Sequence, residues 1–367
     1  LTRFARHRRV FFVEEPHFDA EFPKITATTD GSGVIVAVPH LPAGLAAEEI
    51  QTALTALVSE LFALHRIERY VLWYYTPMAL KFTAHLRPAV TVYDCMDELS
   101  AFAHAPVGIV DAERELMRRA DVMLTGGHTL FEAKRHLHPN VHPVPSSVDV
   151  AHFGRARRIQ QEPADQISIP RPRLGFFGVL DERLDAGLLD AVAARRPDWQ
   201  FIMVGPVVKI DPASLPRRPN IHYPGAKSYD ELTAYIAGWD VALLPFARND
   251  ATRFISPTKT PEYLAAGKPV VSTSIRDVVR PYGEQGLARI ADTPDGFVAA
   301  IEAALTEPPA ARLAKADAFL ARMSWDETWA FVDGLVRRAS AARLREIPVL
   351  PLEGLGKDQG SCSTTSL

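Results

Sequence analysis

The sequence predicts an α/β protein built as two doubly wound domains facing a cleft, with a C-terminal helix crossing between them. Three observations carry this expectation. The 367 residues make about two domains at roughly 150 residues each. Short apolar runs of strand length alternate with amphipathic helical stretches, the pattern of a mostly parallel sheet covered on both faces. The alternation breaks once, over residues 154–173, where GRARRIQQEPADQISIPRPR holds three prolines and no sustained period. With 47% apolar and 23% charged residues, a chain of this size buries about three quarters of its unfolded surface, so its core needs no disulfide or metal staple.

The elements follow in order. LTRFARHRRVFFVEEP reads as the end of a helix feeding a strand, and the amphipathic turn Leu1, Phe4, Ala5 suggests an upstream strand outside this sequence. Strands are expected at Val10 to Val13, Val34 to Val38, Val71 to Tyr74, Ala89 to Tyr93 and Val122 to Leu124. Ile50, Ala53, Leu54, Leu57, Val58 and Leu61 form a helical stripe among them. This first domain spans 1–155 and a linker 156–173. The second domain, 174–324, has strands at Leu174 to Phe177, Phe201 to Val204, Ile221 to Tyr223, Val241 to Leu244, Val270 to Ser272 and Leu287 to Ile290. Its helices are Leu184 to Arg195, Tyr229 to Gly238, Thr258 to Ala266 and Phe297 to Leu305. Residues 325–340 form the crossing helix, with Trp325, Trp329, Val332 and Val336 on one face, and the Gly, Ser and Thr content of 350–367 predicts a disordered tail.

Charge and cysteine usage exclude several classes. The formal net charge of −3 and pI near 6.5 give no footprint for nucleic acid. Two basic spots, Arg3, Arg6, Arg8 and Arg9 and then Arg155, Arg157 and Arg158, are either solvated surface or contacts to an anionic lipid headgroup or phosphate. Cys95 and Cys362 lie far apart and outside any CxxC, which suits a reduced cytoplasmic setting. The longest stretch without Asp, Glu, Lys or Arg, Gly31 to Ala47, holds three glycines and two prolines and is no spanning helix.

The sharpest segment is RFISPTKTPEYLAAGKPVVST, residues 253–273. Ser256 reads as an N-cap, Pro257 as the first helical position, Thr258 as part of the first turn and Gly267 as the stop. Lys259 and Glu262, three apart, share one side of the helix. There an ammonium can meet a phosphate while a carboxylate accepts two sugar hydroxyls, the pairing that a ribose 5'-diphosphate requires. The plain alternative is a surface ion pair. In LGFFGVLDERLDAGLL, Gly178 either lets backbone approach a phosphate or makes a tight turn. Arg183 is either a diphosphate clamp or an ordinary helix start, with Asp185 as a cap. Gly205 follows the next strand. Tyr229 either stacks on a base or packs as core. Asn249, Asp250, Thr252 and Arg253 form a polar loop suited to sugar hydroxyls. In the first domain Asp94, Asp97 and Glu98 end a strand, and Asp97 is either a general base or a helix cap. His128, after Gly126 and Gly127, contacts donor phosphate or acceptor, or makes a turn; His136, His138 and His142 have no carboxylate at ligand spacing, and Asp149 reads as structural.

Residues 253–273, with LGFFGVLDERLDAGLL, FIMVGPVVKI and NIHYPGAKSYDELTAYIAGWDVALLPF in that order, resemble the donor domain of GT-B glycosyltransferases. The likeness is to glycosyltransferase family 4 and to bacterial glucuronosyltransferases of exopolysaccharide synthesis. The resemblance implies two Rossmann-like domains and a nucleotide-sugar donor, UDP-linked. The site would comprise Gly178, Gly205, Tyr229, Thr258, Lys259 and Glu262, with Glu262 on the ribose. Asp97, Lys259 and Arg183 would be catalytic, and Asp94, Glu98, His128, Asn249, Thr252 and Arg253 would face acceptor or donor sugar. It also implies a saccharide or lipid-linked saccharide acceptor at the inner membrane face, weak peripheral association with anionic membrane, and no cofactor or metal, since no Asp-x-Asp occurs and Lys259, Arg183 and helix N–H groups would neutralise the diphosphate. Where family 4 has a first glutamate eight residues before Glu262, this chain has Phe254. Retention of configuration is therefore not implied, and Asp97 as base implies inversion. A UDP-sugar 2-epimerase of the same fold and a non-catalytic sugar-nucleotide or glycan binder are the competing readings.

Overall fold

A computed structural model describes residues 1–102, 105–159 and 161–346. The expected tail at 350–367, with Cys362, lies outside the described residues. The first domain has two sheets. Phe11–Val13 (β1), Lys24–Thr29 (β2) and Ile35–His40 (β3) form one in the order β1-β3-β2, with β1 parallel and β2 antiparallel to β3. Val71–Tyr74 (β4), Val90–Cys95 (β5), Val122–Thr125 (β6) and Val141–Pro143 (β7) form the other, parallel and in sequential order. β2 is additional to the expected strands.

The second domain is one parallel sheet of Arg173–Phe177 (β8), Gln200–Val204 (β9), Ile221–Gly225 (β10), Val241–Leu244 (β11), Val270–Ser272 (β12) and Ala288–Ile290 (β13). Its order, β10-β9-β8-β11-β12-β13, begins in the middle, winds to one edge and then to the other. The reversal between β8 and β11 opens a crevice at the carboxyl ends of these strands, where ligands of such sheets bind. Trp199, Phe201, Trp239, Tyr263 and Phe297 are fully enclosed in this domain's core. Val148, Phe153 and Ala156 join the same core, so chain assigned by sequence to the first domain and linker packs on the second.

The Trp325–Glu346 helix returns to the first domain. Val332, Leu335 and Val336 are buried against Val90, Val92, Val122 and Leu124 of β5 and β6. Trp329 lies edge-on to Phe4 and stacks on His7, while Trp325 remains 37% exposed in the first turn, off the expected face. The N-terminal arginines also bind this helix: Arg3 and Arg6 approach Asp326 at 2.5 and 3.6 Å, and Arg8 reaches Asp333 at 2.7 Å. Arg9 donates to the His65 carbonyl at 2.7 Å. The cluster expected as solvated surface or lipid contact is therefore largely engaged within the chain, and so are Arg155 with Asp230 and Arg157 with Asp317. No described helix is long and apolar enough to cross a membrane.

The domains also meet at the cleft. Asp277, 5% exposed, accepts from the backbone N–H groups of His128 (2.9 Å) and Thr129 (3.0 Å) and from the Thr129 hydroxyl. A second-domain carboxylate thus caps a first-domain helix, His128–Lys134. Arg276 and Glu132 pair beside it. Asp277→Ala should destabilise the protein by about 1–3 kcal/mol, because three donors lose a charged acceptor. The drop should appear as a lower Tm, with a larger radius of gyration in small-angle scattering as the cleft loosens.

Candidate functional site

The site begins where β8 ends. Gly178 has φ +141° and Gly205, beyond β9, has φ +146°, conformations that favour glycine. Space demands glycine too. A Cβ on Gly205 would lie 1.8 Å from the Gly178 carbonyl oxygen, and one on Gly178 would lie 2.4 Å from Lys259 Cε and 2.9 Å from its Nζ. The Lys259 ammonium therefore rests on bare backbone, 5.8 Å from the ring centres of both Phe176 and Phe177.

Lys259 opens a short helix, Lys259–Ala265, fixed by its buried Pro261, Tyr263, Leu264 and Ala265. The Tyr263 hydroxyl accepts from the Phe177 N–H at 3.0 Å, which ties the helix to the end of β8. The helix starts two residues later than Pro257 would place it. Ser256 makes no cap and instead packs against Gly127 of the first domain, and Thr258 at the cap position is exposed without a side-chain cap bond.

Lys259 and Glu262 do not form the surface ion pair of the plain alternative. Among the described residues no carboxylate lies within 4.0 Å of the Lys259 ammonium. Burial lowers its pKa, opposed by the charge of Glu262. Glu262 Oε2 is buried without a hydrogen-bond partner, and burial pushes this carboxyl up to about 7 against the pull of Lys259. A buried acceptor left unsatisfied is costly unless a ligand completes it. The pair presents one cation and one acceptor, each without a direct partner, at the switch point of the sheet.

Other residues expected here take different parts. Arg183 is held by Asp181, with Nε 3.0 Å from Oδ1 and Nη2 2.6 Å from Oδ2, and its guanidinium lies 6.0 Å from the Phe102 ring centre across the cleft. Its charge is thus partly neutralised before any diphosphate arrives. Asp185 caps the Ala186–Arg195 helix by accepting from Leu188 N–H at 2.8 Å. Asn249 accepts from Thr252 N–H and donates to the Glu182 carbonyl, while the buried Thr252 hydroxyl serves the Ala247 carbonyl. These two build the loop instead of presenting free groups to a sugar. Arg253 is exposed over the Phe254 ring, and Phe254 packs on the first-domain core that includes Tyr74 and Tyr93. Tyr229 is half-exposed and stacks on buried His152, with centroids 3.9 Å apart and planes 18° apart, so one ring face is taken.

The first-domain acids divide. Asp94 accepts from Trp73 Nε1 at 3.1 Å, and burial pushes its carboxyl up to about 6. Asp97 has no side-chain hydrogen bond among the described residues and caps nothing: the following turn, Leu99–Ala101, has Glu98 at its cap position. Burial raises the Asp97 pKa, opposed by the Arg183 charge facing it. Glu98 does not face the cleft as a free group. Buried Lys134 bridges it and Glu113 at 2.7 Å each, and Ser100 donates to it at 2.6 Å; against the burial, these partners hold Glu98 below the usual carboxylate range. His128 exposes its ring, but its N–H is donated to Asp277 and is not open to a phosphate. His138 bonds the Ala120 carbonyl and His142 bonds Asn140, which removes them from a shared metal site. Asp149 caps its own turn at His152 N–H.

Sequence reasoning missed Asp277, Asp181 and His152. Asp181 sits in LDERL beside the arginine it holds, and His152 lies in SSVDVAHF, which reads only as a turn.

Residues 171–307 match the family described as Glycosyl transferases group 1. A Bacillus subtilis (strain 168) protein named as a teichuronic acid biosynthesis glycosyltransferase, TuaH, is 28% identical over 65% of this chain. The chain spans 64% of that relative's length. Among solved structures, sucrose-phosphate synthase from Thermosynechococcus elongatus superposes with a TM-score of 0.69 at 15% identity, over 93% of this chain and 91% of that one. The Anabaena protein HepE, solved with UDP and glucose, gives 0.60 at 14% identity over 83% and 87%. This likeness establishes the architecture: two Rossmann-like domains facing a cleft, bridged by the long C-terminal helix, the GT-B fold.

Proposed function

We propose that the protein is a glycosyltransferase that moves a sugar from a UDP-sugar to a hydroxyl of a saccharide or lipid-linked saccharide in polysaccharide biosynthesis, working in the cytoplasm at the inner face of the membrane. The observation that carries this reading is the pair of unpartnered groups at the β8–β11 switch point, the Lys259 ammonium over Gly178 and the buried Glu262 Oε2. A diphosphate supplies the anion for the first, and ribose hydroxyls supply the donors for the second. The match of residues 171–307 to a glycosyltransferase family and the UDP in HepE support the same assignment.

In this mechanism Lys259 stabilises the leaving diphosphate, its own desolvation relieved by the incoming anion. Arg183, oriented by Asp181, adds charge from the next loop. Tyr229, backed by His152, offers its open ring face to the base. Asp97, its pKa raised by burial and its side chain without a hydrogen bond among the described residues, takes the acceptor proton, and Asp94 lines the same strand end as a more basic carboxylate than usual. Attack with a base on the acceptor gives inversion.

Glu262→Ala should weaken UDP binding by about 1–3 kcal/mol in calorimetry with the fold intact. UDP affinity equal to wild type overturns the ribose assignment. Because the native state holds the Glu262 proton more tightly than the unfolded chain, stability should fall as pH rises from the ordinary carboxylate range through about 7. Glu262→Gln should flatten this dependence and raise the Tm of the ligand-free protein at pH 8 relative to pH 5.

Asp97→Asn should reduce transfer about 10²-fold or more while UDP affinity stays at the wild-type value. NMR of the product should show the inverted anomer, and a retained anomer overturns the base assignment. Isomerised sugar without an acceptor product would indicate the epimerase, and tight UDP-sugar binding without turnover of any donor would indicate the binding protein.

A further inference from the structure

A second cluster of ligating groups lies on the small sheet of the first domain, built from residues with no part in the cleft chemistry. His40 ends β3, and His17 follows the parallel β1. Backbone bonds fix the two together: His17 N–H donates to the Pro39 carbonyl at 2.8 Å, and Leu41 N–H donates to the His17 carbonyl at 2.7 Å. Their rings meet edge to face with centroids 5.6 Å apart. Asp19 Oδ1 lies 2.7 Å from His40 Nδ1, and the Thr26 hydroxyl of β2 lies 3.1 Å from His40 Nε2. One ligand atom from each of His17, Asp19 and His40 falls within 4.8 Å of the others.

We propose that His17, Asp19 and His40 bind one divalent zinc ion, with water completing the coordination. Two imidazole nitrogens and a carboxylate oxygen are a donor set that zinc takes in open sites. The contacts of His40 already resemble those of a ligand. His40 Nδ1 stands 2.7 Å from an Asp19 oxygen, so a nitrogen and a carboxylate donor already share one locus, and one proton between them makes that contact a hydrogen bond in the metal-free protein. Zinc takes the place of that proton, which moves to Nε2, and the N–H so formed donates to the Thr26 hydroxyl, 3.1 Å away, as the outer contact that orients the ring.

Zinc with bonds of about 2.0–2.2 Å brings its ligand atoms closer to one another than 4.8 Å, so His17 must swing in and Asp19 must shift. Both are exposed and lie outside the strands, which leaves their side chains free to move. The segment has weak apolar anchoring, with Phe18 and Phe22 48% and 71% exposed, so a metal bridge from His17 and Asp19 to His40 would add a side-chain tie to the backbone bonds that join it to β3.

The test uses the tag-free full-length protein after chelator treatment, titrated with Zn²⁺ by calorimetry and with Co²⁺ by visible absorption. One equivalent should bind, and His17→Ala, Asp19→Asn and His40→Ala should each weaken binding by about tenfold or more, with a smaller loss in Thr26→Val. Circular dichroism checks the fold of each variant; if His40→Ala unfolds, the exposed His17 and Asp19 decide the question. Zinc should also slow proteolysis within residues 14–23 of the wild type but not of His17→Ala. Absence of zinc binding overturns the proposal, as does unchanged affinity in His17→Ala together with Asp19→Asn, which would assign the metal to other histidines.

Discussion

The candidate site depends on a stacking of backbone on backbone at the ends of β8 and β9. Gly205 lets the chain after β9 come against the Gly178 carbonyl, and Gly178 in turn leaves room for the Lys259 side chain. A methyl group at either position moves the next layer. The ammonium is consequently located by the absence of side chains beneath it and by Phe176 and Phe177 beside it. Among the described residues no carboxylate within 4.0 Å holds it in place. This arrangement leaves the charge available to a ligand, whereas a salt bridge would have satisfied it in advance, as Asp181 does for Arg183.

The two domains are unequal in how they are held. The six-stranded sheet of the second encloses a continuous aromatic and aliphatic core, while the first divides its apolar residues among smaller clusters, one completed by Val332, Leu335 and Val336 of the terminal helix. The first domain also keeps polar groups inside, with Lys134 joining Glu98 and Glu113 behind the strand that carries Asp94. Three neighbouring acids thus sit in different surroundings: Glu98 bound to Lys134, Asp94 bonded to the Trp73 indole, and Asp97 without a side-chain hydrogen bond among the described residues. Asp97 is the one to which the proposed function gives the acceptor proton.

The second domain was legible because its strands are buried on both faces and read as unbroken apolar runs. Val241–Leu244 and Val270–Ser272 agree with the sequence reading residue for residue. β2 was not legible, since KITATT lies at a sheet edge with five of its six residues exposed and no apolar signature. The start of the Lys259 helix shifted because Ser256 packs across the cleft, an effect that local capping rules cannot contain. Asp277 left no trace in sequence because the N–H groups it caps lie 149 and 148 residues earlier. The fate of Glu98 was equally hidden: adjacent acids look alike until Lys134 chooses between them. Helical spacing puts Trp325 on the packing face, but it stays 37% exposed, and Leu335 is buried in that face with Val332 and Val336 instead.

The returning helix has a mechanical consequence. Within the described residues the chain passes between the domains twice, once where residues 144–156 leave β7 and again where the Pro309–Leu320 helix gives way to Trp325–Glu346. A body joined at one point can swing and twist freely, but one joined at two is confined to turning about the line through them. Any opening of this cleft is therefore steered toward rotation about that line, and the bonds of Asp277 to Thr129 and His128, with the Arg276–Glu132 pair beside them, would have to break for it.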